Sequence, residues 1–396
     1  MKQSYDVAVI GIGTMGSFAC CELARRGLRV VGFDRFVPPH GRGSHSGDTR
    51  VFRIAYAEHP DYVPLALRAS ELWDQYVAAG KAQLLNRCGM LSLGPPNGEF
   101  IRGILSSASI HGLEVIQYTP SEIRHEFPAF APDEEHVAVF EATAGWIDAN
   151  AAIATALRLA RAHGATLSVE DPVLQWIHRG DHFEMATASG VVVAEKLIIT
   201  SGAWTSKLLQ PLGLPLTIER RVLTWVDPID PALFRPEIFP VFAMSGEFLY
   251  GFPAIDGNGV KLAVHWKRGR AVVDPNDSVA EASLEDAAEP LAIAARLFPR
   301  LAGPLPHALK RVTRMKTCLY VMSHDEHFFV DHHPEWPGLV LAAGFSGHGF
   351  KFAPALGEIL ADLATTGASK VPIGFMSLAR LADGIRDSSC DPGITS

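Results

Sequence analysis

The sequence has few cysteines, no basic excess and no long apolar run, and each shortage removes a class of protein. Its 396 residues include five cysteines, Cys20, Cys21, Cys88, Cys318 and Cys390. Their odd number and irregular spacing, with no Cys-x-x-Cys pair, exclude a disulfide framework and a paired-thiol metal site. No stretch approaches the roughly 20 apolar residues of a membrane-spanning helix. The opening segment MKQSYDVAVIG carries Asp6 and a glycine turn where a signal peptide needs an unbroken apolar core. A soluble, cytoplasmic protein with no membrane partner is expected. Lys and Arg total 35 against 43 Asp and Glu, for a net charge of -8, and no Lys/Arg run offsets the balance. No nucleic-acid partner is expected, because nothing supplies the positive field that attracts a phosphate backbone. Hydrophobic residues at 48% and charged residues at 20% also lack the polar bias of a disordered chain, and there is no internal repeat or low-complexity tract.

What is present begins at the N-terminus. Tyr5 to Ile10 is a Val/Ile-rich strand, GIGTMG a glycine turn, and Met15, Phe18, Ala19 and Leu23 recur at helical spacing after it. A second strand, LRVVGFD, ends at Asp34, near the offset of about 20 residues at which an acid meets a ribose hydroxyl. In such a unit Gly11 makes the tight turn, Gly13 lets backbone approach a pyrophosphate, and Gly16 allows close helix–strand packing, while the helix N-terminus stabilises the anion. Dinucleotide binding is the reading. Cys20 and Cys21 fall inside this helix as small core residues.

Further α/β pieces follow at Ala151 to His163 (helix), ATLSVEDPV (strand) and EKLIITSGAW (buried strand, glycine turn). Between them lie stretches rich in Pro, aromatics and short alternating runs, which predict antiparallel strands. The expected class is α/β: a Rossmann-like nucleotide domain built from residues 1–87, 146–215 and 310–396, and a mainly antiparallel substrate domain from 88–145 and 216–309. The last unit, GLVLAAGFSGHGFKFAPALGEILADLATTG, predicts a strand, a glycine turn and a helix with Phe352, Leu356, Ile359, Leu360 and Leu363 on one face. Lys351 in the first helical turn opposes the helix dipole, which hints at function.

The loop PPHGRGSHSGDTRVFR gathers Ser44, His45, Asp48, Arg50 and Arg53. If a helical turn forms there, Arg50 and Arg53 share a face suited to a carboxylate, since guanidinium forks bind it bidentately; surface salt bridges are the alternative. His324, Asp325, His327, Asp331, His332 and His333 can be read as metal ligands, yet Tyr320 to Val330 looks strand-like and no third ligand stands out. GFSGH approaches a hydrolase nucleophile elbow at Ser346, but His348 stands where that motif needs glycine.

With these residues in view, the sequence resembles the monomeric sarcosine oxidase and N-methyltryptophan oxidase family of flavoprotein amine oxidases. The likeness runs over nearly the whole chain, through GIGTMG, PPHGRGSHSGDTRVFR, YVPLALRASELWD, YGFP, CLYVMSHDEHFFVD and GFSGHGFKF. It implies an FAD held by Gly11, Gly13, Gly16, Asp34, Ser44, His45 and Gly347, and attached as a thioether through Cys318. It implies that Arg53 and Lys351 bind a substrate carboxylate and that Lys261 activates oxygen. His265, Arg50, Tyr250, Tyr320 and His348 would surround ring and substrate. The implied reaction moves hydride from the carbon next to the nitrogen of a secondary amino acid to FAD, then reduces O2 to H2O2 while the imine hydrolyses, in a monomer whose partners are the small amino-acid substrate and O2. A same-fold dehydrogenase with another acceptor and a non-catalytic FAD-binding module are the alternatives. Two departures bear on the substrate: Ala243 stands where the sarcosine enzymes have methionine, with a shorter connection to YGFP, and HWKRGRAVVDP differs, including Trp266.

Overall fold

The computed structural model describes residues 3–255, 257–265, 274–276 and 281–381. Trp266, with the rest of 266–273, and Cys390 lie outside the described residues. The chain opens with strand Gln3–Ile10, helix Thr14–Arg25 and strand Val30–Phe33. The two strands are parallel neighbours, Val7 opposite Val30 and Ile10 opposite Phe33. The helix buries Met15, Phe18, Ala19, Cys20, Cys21 and Leu23 and packs against two later helices, Ala149–Ala162 and Ala353–Thr366.

Later segments return to the same sheet. Gly190–Ile199 runs parallel to the first strand, Leu339–Ala343 parallel to the end of Gly190–Ile199, and Thr166–Ser168 parallel to Val30–Phe33. Leu339–Ala343 is buried throughout, as a parallel strand covered on both faces should be. A hairpin of Gln175–His178 and Phe183–Thr187 joins antiparallel at one side, and Phe329–His332 pairs antiparallel with Leu339–Ala343. The carboxyl ends of the parallel strands therefore open onto one crevice, where open α/β sheets bind ligands.

The second sheet has the order Val312–Met322, Thr217–Val226, Val260–Val264, Leu249–Phe252, Val241–Met244, Met90–Gly94, Val137–Glu141, Ile116–Tyr118. Its pairs are antiparallel except Val241–Met244 with Met90–Gly94. Val312–Met322, which opens the stretch grouped with the nucleotide domain in the sequence, is thus hydrogen-bonded into the second sheet. A core of Phe130, Phe234, Phe239, Phe242 and Phe298 backs this sheet, their rings in mutual contact.

Several local expectations change. Thr49–Phe52 is a strand paired with Gly145–Asp148, not a helical turn. Arg50 lies in that strand and Arg53 just beyond its end, so the two are not set on one helical face. Lys351 lies in a short 3-10 turn, Phe350–Phe352, that precedes the last helix. Tyr320 to Val330 is strand only up to Met322 and again from Phe329. Ser346 is buried, and its Oγ accepts from Ser323 N and donates to Gly344 O, so no exposed nucleophile is formed. Among the described residues no group of three or more His, Cys, Asp or Glu is arranged to hold a metal, and no helix is long and apolar enough to cross a membrane.

Candidate active site

Two cavities meet at the crevice. The first, about 340 Å³, is lined by Gly11, Gly13, Asp34, Ser44 and His45 at one end and by Tyr320 and Gly347 at the other. Its glycines have steric reasons. Gly11 has φ +89°, and a Cβ there would lie 2.7 Å from Ser201 Cα; a Cβ on Gly16 would lie 2.0 Å from Gly11 O. A Cβ on Gly13 would meet only the His45 ring, at 3.8 Å, so the approach from the cavity is open. The following helix starts with no side-chain cap and no acid in its first turn, leaving its backbone N–H groups for an anionic ligand.

Asp34 directly follows the second strand and is buried, with its carboxylate accepting from Phe36 N at 3.0 Å. His45 is buried and accepts from His40 N; burial above all, helped by His40 and Arg50, pushes its imidazole down to about 3, so it is neutral. This set fits a dinucleotide: a glycine turn and bare helix N-terminus for the pyrophosphate, and an acid at the ribose position. Gly16 stays outside the lining and acts through packing.

The second cavity, about 660 Å³, shares Arg50, Tyr320, Gly347 and Phe350 with the first. It adds Arg53, Glu58, Tyr250, His265, His348 and Lys351. The structure therefore brings together in one cavity all the residues assigned to ring and substrate except Lys261. Arg53 is 7% exposed; its Nη2 contacts Glu58 Oε1 and Oε2 at 2.5 and 2.6 Å, its guanidinium lies 4.5 Å from the Tyr56 ring centroid, and its buried Nη1 has no partner. Burial pushes the Glu58 carboxyl up, but Arg53, His348 and Lys351 outweigh it and hold it at about 2.

Lys351 donates to His348 O at 2.6 Å and to Tyr56 OH at 3.3 Å. Burial and the neighbouring Arg53 bring its ammonium down to about 7. His348 faces Tyr56 OH with Nδ1 at 2.5 Å and the Glu326 carbonyl with Nε2 at 3.1 Å. A carbonyl only accepts, so Nε2 carries the proton and Nδ1 accepts from tyrosine. His265 and His348 are both pushed down to about 3, chiefly by burial, and both are neutral. Tyr320 OH lies 3.2 Å from His265 Nδ1 and 3.4 Å from Tyr250 OH.

Lys261 and Cys318 sit behind these walls and outside both linings. Lys261 is 2% exposed; its Nζ donates to Gly47 O at 3.0 Å, to Thr49 O at 2.8 Å and to Thr49 Oγ1, and lies 3.7 Å from the Phe252 ring centroid. Burial first, then Arg50, lowers its ammonium far below the usual lysine range. Arg50 is held by the same loop, donating to the carbonyls of Ser44, Ser46 and Thr49. Cys318 is buried in a cluster with Leu223, Trp225, Ala263 and Tyr320. Burial pushes its thiol up, against the opposing pull of Arg50, Lys261 and Arg221.

Sequence reasoning missed Tyr56, Glu58 and Glu141. Tyr56 and Glu58 closely follow Arg53 in RIAYAEHP, and an acid just past an arginine is the only signal that pointed to the pair. Glu141 accepts from the N–H groups of Ile54 and Ala55 and from Thr143 Oγ1, fixing the backbone next to Arg53. It comes from a distant strand and left no trace in sequence.

Comparison with known proteins agrees with this geometry. Residues 6–363 match the profile of a family described as FAD dependent oxidoreductase. The chain is 38% identical to monomeric sarcosine oxidase of Streptomyces avermitilis, across 96% of this chain and 99% of that protein. It is 34% identical to N-methyl-L-tryptophan oxidase of Yersinia pestis, across 96% and 100%. The fold superposes on L-proline dehydrogenase from P. horikoshii with TM-score 0.82, at 22% identity over 97% and 99% of the two chains. With its nucleotide turn, its paired cavities and these relatives, the chain belongs to the FAD-dependent oxidoreductases, in the family of monomeric sarcosine oxidase and N-methyl-L-tryptophan oxidase.

Proposed function

We propose that the protein oxidises a secondary amino acid, N-methylated or cyclic, and passes the electrons to oxygen. One observation carries this reading: Arg53, whose buried Nη1 has no partner, lines the same cavity as the buried amine of Lys351. An orphaned donor on a buried cation calls for an anion, and a planar fork beside an ammonium suits a carboxylate.

Bound FAD supplies a two-electron acceptor for the C–H bond next to nitrogen. The chain's own residues prepare that step. Arg53 and Lys351 hold the carboxylate and, being cationic, favour the neutral form of the amine that can be oxidised. Neutral His265 and His348, with Tyr250 and Tyr320, line the space for the amine without placing a further charge there. Lys261, fixed by Gly47 and Thr49, stabilises negative charge developing on oxygen. Hydrolysis of the imine gives an amine and a carbonyl compound. Gly11, Gly13, Asp34, Ser44, His45 and Gly347 hold the cofactor, Gly16 by packing, and Cys318 is the attachment point, its thiol pushed up by burial against the opposing pull of nearby Arg50 and Arg221. Cys20, Cys21 and Cys88, none of them paired, support a reducing, cytoplasmic setting, and the names of the sarcosine oxidase relatives support a monomer.

The test is peroxide production by purified protein over a panel of N-methyl and cyclic amino acids. Arg53→Ala and Lys351→Ala should each raise KM at least tenfold, since losing one partner of a desolvated charge pair costs about 2–5 kcal/mol. Substrate-dependent flavin reduction without peroxide would replace the oxidase by a dehydrogenase; no reduction by any panel member would leave a binding module. The tether is tested separately on an acid-denatured gel, where flavin fluorescence should stay with the wild-type band and leave it in Cys318→Ser.

A further inference from the structure

Resting on that reading, we propose that Arg221 is a positioning residue of the oxidation site. From behind the cavity wall it holds Tyr320 and His265 together as one hydrogen-bonded unit, and so fixes the surface against which the amine is presented to the flavin. Thr217–Val226 and Val312–Met322 run side by side, with Glu219 opposite Tyr320 and Arg221 opposite Cys318. Directly opposed residues of an antiparallel pair point to one side, as do alternate residues along each strand. Glu219 and Arg221 therefore share the face on which Leu223, Trp225, Cys318 and Tyr320 cluster. Tyr320 lines both cavities, whereas Arg221 lines neither.

Arg221 is 8% exposed, and all three nitrogens of its guanidinium are engaged. Nε donates to the His265 carbonyl at 3.0 Å, Nη1 to Arg220 O at 3.4 Å and Nη2 to the Glu219 carboxylate. Its Cζ stands over the Tyr320 ring, 5.2 Å from the centroid, within cation–π range. One side chain thus touches two residues of the substrate wall, and these two touch each other, Tyr320 OH lying 3.2 Å from His265 Nδ1. Each is braced a second time. His265 N–H donates to Phe248 O at 2.9 Å, and a Cβ on Gly347 would lie 2.2 Å from Tyr320 Cε2, so backbone packs directly against that ring.

A buried ion pair is a poor device for stability, because exchanging both partners for uncharged residues of similar volume is often neutral or stabilising. Arg221 and Glu219 are placed instead where the geometry of two cavity-lining rings is decided. His265, kept neutral above all by burial, has no charge of its own to orient it, and its direction rests on hydrogen bonds. That direction matters for hydride transfer, since misplacing reacting groups by about 1 Å costs on the order of 100-fold in rate. The carboxylate-binding side chains stand on other segments, Arg53 just past Thr49–Phe52 and Lys351 in Phe350–Phe352. Loss of Arg221 should therefore slow oxidation and spare carboxylate binding.

The experiment follows anaerobic reduction of the purified flavin-loaded enzyme by whichever of N-methylglycine, N-methyl-L-alanine and L-proline it oxidises fastest. Acetate, a non-oxidisable carboxylate whose binding is read from the flavin absorbance, is titrated in parallel. Removing Arg221 alone would strand the Glu219 charge, so the main variant is Arg221→Met with Glu219→Gln. Its limiting reduction rate should fall at least about tenfold, with the acetate Kd within about threefold of wild type. Arg221→Lys keeps a cation near the ring without the fork and should lie between the two; it carries the test, with a loss of at least about threefold, if the double variant does not fold. In Tyr320→Phe the phenol–imidazole bond is already gone, so adding the same pair of changes should cost less than about threefold more. A reduction rate unchanged in the folded variants, a loss that multiplies in full with Tyr320→Phe, or an equal weakening of acetate overturns the positioning role and leaves amino-acid oxidation standing. No reduction of the wild-type flavin by any of the three substrates overturns both.

Discussion

Lys351 shows how one side chain can be designed for occupancy. Its ammonium, brought to about 7 by burial and by Arg53, is largely neutral at pH 8. A carboxylate bound beside it favours the charged form, so ligand binding must take up a proton. At pH 8, calorimetry of acetate or phenylacetate binding in buffers of different ionisation enthalpy should show uptake approaching about one proton per ligand. The uptake should vanish at pH 5, where the lysine is already charged, and in Lys351→Met. The same lysine affects folding with a definite sign. Its folded-state value lies below its unfolded one, so between about 7 and the ordinary lysine range of 10.5 the unfolded chain holds more protons, and stability rises with pH across that window. Lys351→Met should therefore gain most over wild type below pH 7 and lose that advantage as pH rises, measured by denaturant midpoints.

At the scale of the element, two loops do most of the positioning. The turn from Gly11 to Gly16 was legible because its geometry is local: strand, glycines and helix follow one another directly. Gly16→Ala would drive a Cβ to 2.0 Å from Gly11 O and 2.7 Å from Thr200 Oγ1, against rigid backbone, so FAD affinity should fall at least tenfold in titrations of apoprotein. The loop from Ser44 to Thr49 was legible only as a cluster of polar residues. In the structure its carbonyls hold Arg50 and Lys261, while Asp48, at φ +65°, pairs outward with Lys316 and Arg314, both at 2.7 Å. Asp48→Ala loses those ion pairs and places a poorly suited residue in left-handed backbone, with an expected loss of about 1–2 kcal/mol. Asp48→Gly should recover the backbone part alone, and urea denaturation separates the two. The helical turn on which a shared face for Arg50 and Arg53 was conditional does not form, because Thr49–Phe52 pairs with Gly145–Asp148, from a segment far along the chain.

Across the whole molecule, the nucleotide sheet is assembled from segments scattered between Gln3 and Ala343, and its crevice is closed by residues of the second sheet such as Tyr320. A cofactor lodged there bridges parts of the chain that no single helix or strand connects. It should stabilise the fold as a whole. In Cys318→Ser, where FAD is exchangeable, free FAD at 100 times its Kd should add about 2.7 kcal/mol, visible as a single thermal transition moving upward with FAD concentration. A transition that splits in two on FAD removal, with one half insensitive to FAD, would show instead that the sheets melt independently.

The division between sequence and structure follows from range. Sequence by itself determined the strand–turn–helix units, the apolar faces of the first and last helices, and the stretches that carry Arg53, Cys318 and Lys351, because each depends on neighbours within a few residues. Only the tertiary structure decided that Arg53 is paired with Glu58 and still has a free donor, and that Tyr56, far from His348 and Lys351 in the chain, links the two. It also decided that Lys261 and Lys351 are buried amines rather than surface cations. Burial, charge state and unsatisfied donors are set by which distant segments exclude water from a side chain, and no local pattern of residues encodes that exclusion.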